Sequence, residues 1–128
     1  DEEEIEDLPT WIDLLSFAAR TQGRQGVLVT WETAIEVDNF GFRILRARSS
    51  DVTLASEIVF IPSQCRGNQC GAAYSYLDRG VTDGADYWYW LVDVDTNGFE
   101  TRHGPVQVGV DMSQAHDYVF LPLVIRGK

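Results

Sequence analysis

Residues 86–98, DYWYWLVDVDTNG, read as one strand running into a tight turn. In residues 86–94 two interleaved apolar sets alternate: Tyr87, Tyr89 and Leu91 on one face, and Trp88, Trp90, Val92 and Val94 on the other. Aromatic and β-branched residues at period two suit a pleated sheet, and Thr96-Asn97-Gly98 supplies the turn that ends it. Asp93, Asp95, Asn97 and Gly98 imitate the start of a calcium loop, but the twelfth position is Gly104 rather than the required glutamate. A hairpin turn explains the same residues.

The pattern repeats on both sides. Val27, Val29 and Trp31 alternate with Leu28, Thr30 and Glu32, and Phe40, Phe42 and Ile44 follow the turn-like Asp38-Asn39 pair. Residues 54–61 (LASEIVFI) form a further strand stopped by Pro62, 73–77 (AYSYL) a short one, and 99–110 the partner of 86–94. Residues 11–20 (WIDLLSFAAR) fit a strand or an amphipathic turn-rich segment, and periodicity alone does not decide between them. About seven short strands separated by turn signals predict an all-β, two-sheet Greek-key sandwich, with an apolar extra strand at the C-terminal end.

At 128 residues the chain has room for one domain, divided into an acidic extension (1–10), a sandwich (11–110) and a connector with the apolar strand (111–128). The net charge of −10 disfavours nucleic acid and anionic lipid surfaces as partners. No run approaches the ~20 apolar residues of a membrane span. The chain begins at Asp1, which reads as a mature product after signal removal or as a trimmed chain. Cys65 and Cys70 enclose four residues, a spacing suited to a disulfide and to no four-ligand zinc pattern, and a disulfide implies an oxidising compartment. His103 and His116 lack ligand-spaced companions, and no paired carboxylates sit in a catalytic frame, so no cofactor, metal or catalytic residue is expected.

The run Trp31-Glu32-Thr33-Ala34, then Glu36, Asp38-Asn39 and Gly41-Phe42, with residues 87–98 and His103-Gly104-Pro105-Val106, resembles a subtype of fibronectin-type-III-like domain found in bacterial secreted and cell-surface proteins. The resemblance spans about residues 27–110. It implies an immunoglobulin/fibronectin-III-like sandwich with a structural or adhesive role, an extracellular or cell-surface location and no enzymatic activity. It also implies that Trp31 packs the core and that Tyr87 anchors a corner through its hydroxyl. Phe42 and Tyr89 join them as expected core residues.

Two features lie outside the basic module. The first is the Trp88, Trp90, Val92, Val94 stripe, an unusual apolar patch if the outer face of the sheet is bare. Three readings are open for it: cover by the chain's own N-terminal segment or tail, a partner subunit, or a sugar or small-molecule platform. The second is residues 118–126 (YVFLPLVIR). Tyr118, Phe120 and Val124 are apolar on one face, and Val119, Leu121, Leu123 and Ile125 on the other, so the segment seeks burial on both sides. Nine extended residues reach about 30 Å, and Pro122 leaves one side without a ladder donor. The segment pairs with its own sandwich, donates a strand to another copy in a head-to-tail homopolymer, or serves as a sorting or anchoring signal. Surface proteins are the other partner class. The leading expectation is a structural subunit of an extracellular filament; the alternative is a monomeric adhesion, attachment or sorting module.

Overall fold

The computed structural model describes residues 11–66 and 68–113. Seven strands make two antiparallel sheets: β1 (Trp11–Thr21), β2 (Val27–Val37) and β5 (Cys70–Asp78) in the order β1-β2-β5, and β4 (Ser56–Pro62), β3 (Asn39–Ala47), β6 (Asp86–Asp95) and β7 (Glu100–Gly109) in the order β4-β3-β6-β7. The chain therefore crosses between sheets after β2, β4 and β5, which is Greek-key wiring. The segment 11–20 resolves as strand β1, pairing with β2 from Trp11–Val37 to Thr21–Val27.

The inner faces are those that alternation assigns. Val27, Val29 and Trp31 of β2, Phe42 and Ile44 of β3, and Tyr87, Tyr89 and Leu91 of β6 form one buried cluster. At its centre Trp31 stacks on Tyr74 with ring centroids 5.2 Å apart, and Phe42 meets both rings edge-on at 5.5 and 4.8 Å. Offset and edge-on pairs of this kind add about 0.5–1.5 kcal/mol each beyond the area they bury.

Alternation breaks where the ladder is irregular. A register shift between Asn39 and Gly41 takes Phe40 out of phase, leaving it 42% exposed while Phe42 is fully buried. The expected strand 54–61 starts later, at Ser56, because Val52–Leu54 winds into a 3₁₀ turn capped by the Asp51 carboxylate, which accepts from the Thr53 amide. One pole, called the upper one here, holds the start of β1, the β2–β3 turn, the β4–β5 loop and the β6–β7 turn. The lower pole holds the remaining connections and Val110, whose backbone bonds to Gly84 and Ala85.

Candidate functional site

The outer face of the four-stranded sheet carries the tryptophan stripe, and it is not bare. Trp90 is 2% and Val92 3% exposed, while Trp88 and Val94 are half-buried. The bare patch that alternation alone would allow is therefore not present at Trp90 and Val92. Strand β6 lies between β3 and β7, and Arg43 on β3 reaches over it. Its guanidinium bonds Glu57 on β4 at 2.8 Å and Glu100 on β7 at 2.7 Å. The hydrogen bond that Arg43 donates to Glu57 is the main cause of its raised pKa, against the opposing effect of partial burial. A long side chain laid across a strand shields apolar surface with its stem. Arg43, Leu45, Val52, Thr53 and Arg102 line a recess of about 340 Å³ around Val92, so the loop after β3 shares in the cover. The N-terminal extension and the tail, the two segments considered as cover, lie outside the described residues.

Two buried polar hubs organise the poles, and neither is evident from periodicity. The upper hub is Glu36, fully buried at the end of β2. Its Oε2 accepts from the hydroxyls of Thr33 (2.8 Å) and Tyr74 (2.7 Å), and its Oε1 from Ser63 Oγ (2.6 Å) and Asn39 Nδ2 (3.1 Å). Four donors, with no cation among them, replace the water that a buried carboxylate gives up. The donors come from β2, β3, β5 and the β4–β5 loop, so one side chain ties together three strands and a connection. Ser63 Oγ also accepts the Cys65 amide, and the Tyr74 hydroxyl accepts the Gln64 amide. Burial first, and the neighbouring carboxylate after it, push the Tyr74 phenol up to about 12.

The Cys65–Cys70 disulfide closes this loop with Cα atoms 5.5 Å apart. The pairing expected from the spacing is therefore present. Arg66 places its guanidinium 4.9 Å from the Phe40 ring centroid.

The lower hub is Asp78, 2% exposed. Arg46 Nη1 bonds both of its oxygens at 2.8 Å, the Tyr89 hydroxyl donates at 2.7 Å, and the Gly80 amide at 3.0 Å. Burial, and then the Asp78 bond, raise the Tyr89 pKa. Beside this hub, Tyr87 accepts the Thr82 amide through its hydroxyl at 3.0 Å, with Arg46 and Arg48 over its ring. A tyrosine hydroxyl tied to backbone a few residues upstream is a recurrent corner in sandwiches of this type.

His103 Nε2 lies 2.6 Å from Asp93 Oδ2, yet among the described residues no group of three or more His, Cys, Asp or Glu could hold a metal ion. Asp95, which imitates a calcium ligand in the sequence, accepts the amides of Asn97 and Phe99 in its own turn. The upper pole is distinguished instead by exposed aromatics: Trp11, Phe40 and Phe99 are 44%, 42% and 74% exposed. Backbone bonds join their turns, from Thr96 to Asp38 and from Asp95 to Phe99. The apolar residues Tyr118, Val119, Phe120, Leu121, Leu123, Val124 and Ile125 lie outside the described residues.

No protein-family model matches the sequence, and no curated protein does. Solved structures do match it in fold. A Fn3-like protein from Clostridium thermocellum superposes with a TM-score of 0.53 at 16% identity, over 79% of this chain and 93% of that one. Two crystal structures of the pectate lyase Pel3 from Pectobacterium carotovorum each give 0.54, at 19% and 18% identity, over 78% and 91% of this chain. The match spans only 27% and 28% of the lyase. At such identities the likeness is one of fold. With its β1-β2-β5 and β4-β3-β6-β7 sheets and its tyrosine corner, the chain is a fibronectin-III-like β-sandwich.

Proposed function

We propose that the chain is a non-catalytic module of the extracellular space or cell surface, and that residues 118–126 are its attachment element, donated as a strand to a neighbouring copy in a head-to-tail filament. One observation carries the reading. The described strands β1 to β7 bury Trp31, Phe42 and Tyr89 among themselves, so residues 11–113 account for the central core and the apolar segment is free to serve as an attachment element. An apolar strand that its own domain does not need is a liability in water unless another protein takes it up. The disulfide agrees with an oxidising, extracytoplasmic setting. The test compares the native chain with its Phe120→Asp and Val124→Asp variants by light scattering and electron microscopy. The expected result is filaments from the native chain and folded monomers from both variants. Filaments of normal length in both variants would overturn the donation.

The exposed aromatics of the upper pole favour a second reading, a monomeric adhesion module that grips its partner through Trp11, Phe40 and Phe99. Under it the native chain is a monomer, and alanine at those three positions abolishes adhesion.

A further inference from the structure

The sandwich has four edge strands: β1 and β5 in one sheet, β4 and β7 in the other. An open edge presents unpaired N–H and C=O groups, and charge, proline or a bulge ordinarily blunts it. Three of the four edges are blunted. Strand β1 is irregular between Asp13 and Ser16, and carries Asp13 and Arg20. Strand β7 carries Arg102 and Pro105 and shifts register opposite Tyr89–Leu91. These two edges also shield each other. Gly104 is so close to β1 that a Cβ there would sit 3.1 Å from the Phe17 ring, and Thr21 Oγ1 lies 3.5 Å from the Gly109 carbonyl. Strand β4 is only seven residues long, with Glu57 inside it and Pro62 at its end.

Among the described residues strand β5 is the least protected of the four edges: its pairing with β2 shifts register only at its first end, between Thr33 and Glu36. Its first eight residues, CGAAYSYL, hold no charge and no proline, and its register with β2 is regular from Val27–Asp78 to Thr33–Ala72. The Ala73 carbonyl accepts the Gln64 side chain at 3.3 Å, so it faces away from β2. By the two-residue period of a strand, Ser75 and Leu77 turn their backbone groups to the same open side. The flank beneath is apolar and incompletely covered: Ala72 and Tyr76 on β5, and Ile58, Val59 and Ile61 on β4, are only partly buried against the core.

We propose that the open edge of β5 is the acceptor for residues 118–126, which add to it as a further strand. The proposal rests on the reading of that segment as the attachment element and names its docking site. The match is one of length, polarity and charge. Strand β5 and the segment 118–126 are each nine residues long. The incoming segment is apolar on both faces, so one face covers the flank between β5 and β4. Pro122 lacks a donor, which a strand paired along one side only tolerates. Residues 118–128 carry Arg126 and Lys128 and no acid. Removing those two bases from the ten leaves eight against twenty acids, so the body of the chain stands at −12 where the whole stands at −10, and it attracts the segment.

Amide hydrogen exchange by NMR on the full chain tests this. The Ala73, Ser75 and Leu77 amides should exchange at least about tenfold more slowly in the native chain than in Phe120→Asp, and Ser75→Lys should abolish assembly with the melting of the sandwich unchanged. Loss of the protection on dilution assigns the donor to a second copy; persistence assigns it to the same chain, and either result upholds the docking site. Equal exchange of those three amides in native and Phe120→Asp chains overturns it. If Phe120→Asp still abolishes assembly in that case, the attachment role stands and only the site is wrong.

Discussion

Tyr74→Phe isolates the upper hub from the aromatic core that surrounds it. The ring stays, so its stacking on Trp31 and its contact with Phe42 are kept; only the hydroxyl goes. That hydroxyl makes two bonds, donating to Glu36 Oε2 at 2.7 Å and accepting the Gln64 amide at 3.0 Å. A bond to a charged acceptor is worth about 1.5–3 kcal/mol, and a part-buried amide left without its partner costs roughly 1 kcal/mol more. The expected loss is therefore about 2–4 kcal/mol, a large share of the ~5–15 kcal/mol that keeps a domain folded. Urea unfolding followed by tryptophan fluorescence is the assay, since Trp31 sits against the altered ring. The midpoint should fall by about 1–2 M with the slope unchanged, given slopes near 2 kcal/mol/M for domains of this size. A loss below about 0.5 kcal/mol would refute the account, because Glu36 would then not depend on the Tyr74 hydroxyl assigned to it.

Two other outcomes follow from buried groups. Burial holds the Tyr74 phenol up to about 12 and raises Tyr89 as well, whereas in the unfolded chain both ionise near 10. The unfolded state thus loses these protons first, and stability that is complete below pH ~10 declines as the pH climbs toward and through 12. The slope reaches about 1.4 kcal/mol per pH unit for each tyrosine, and denaturation curves of Tyr74→Phe and Tyr89→Phe should each lose one share of it. Gly26→Ala should cost about 3 kcal/mol or more in thermal unfolding: its φ of 134° suits glycine alone, and a Cβ would lie 2.1 Å from the Asp78 carbonyl oxygen.

Strand alternation is a local property, so the class of fold was legible in the residues themselves. Val27–Trp31, Phe42–Ile44 and Tyr87–Leu91 place their inner faces correctly because each keeps regular register with at least one neighbour, β6 with β3 though not with β7. Phe40 and the start of β4 do not follow the pattern, since a register shift and a 3₁₀ turn reset the phase, and both depend on which strand lies alongside. The Trp90 stripe illustrates the same limit. Its residues could be assigned to a face, yet the reach of Arg43 from β3 over β6 to Glu100 exists only once those strands are neighbours.

The hubs were harder to find. Glu36 and Asp78 resemble ordinary surface acids in a chain with twenty of them. The one local hint was Thr33 standing where β2 should continue its apolar face; period two would bring Ile35 inward next, and the register shift between Thr33 and Glu36 brings Glu36 in instead. Their partners Ser63 and Tyr74 are 27 and 38 residues further along. Alternation, turns, the disulfide spacing and an apolar segment that water disfavours are set by neighbours within a few residues, and so are written along the chain. Which acids are buried, what lies over Val92 and which strands end up at a sheet edge depend on groups that meet only when the sheets close, so folding settles them.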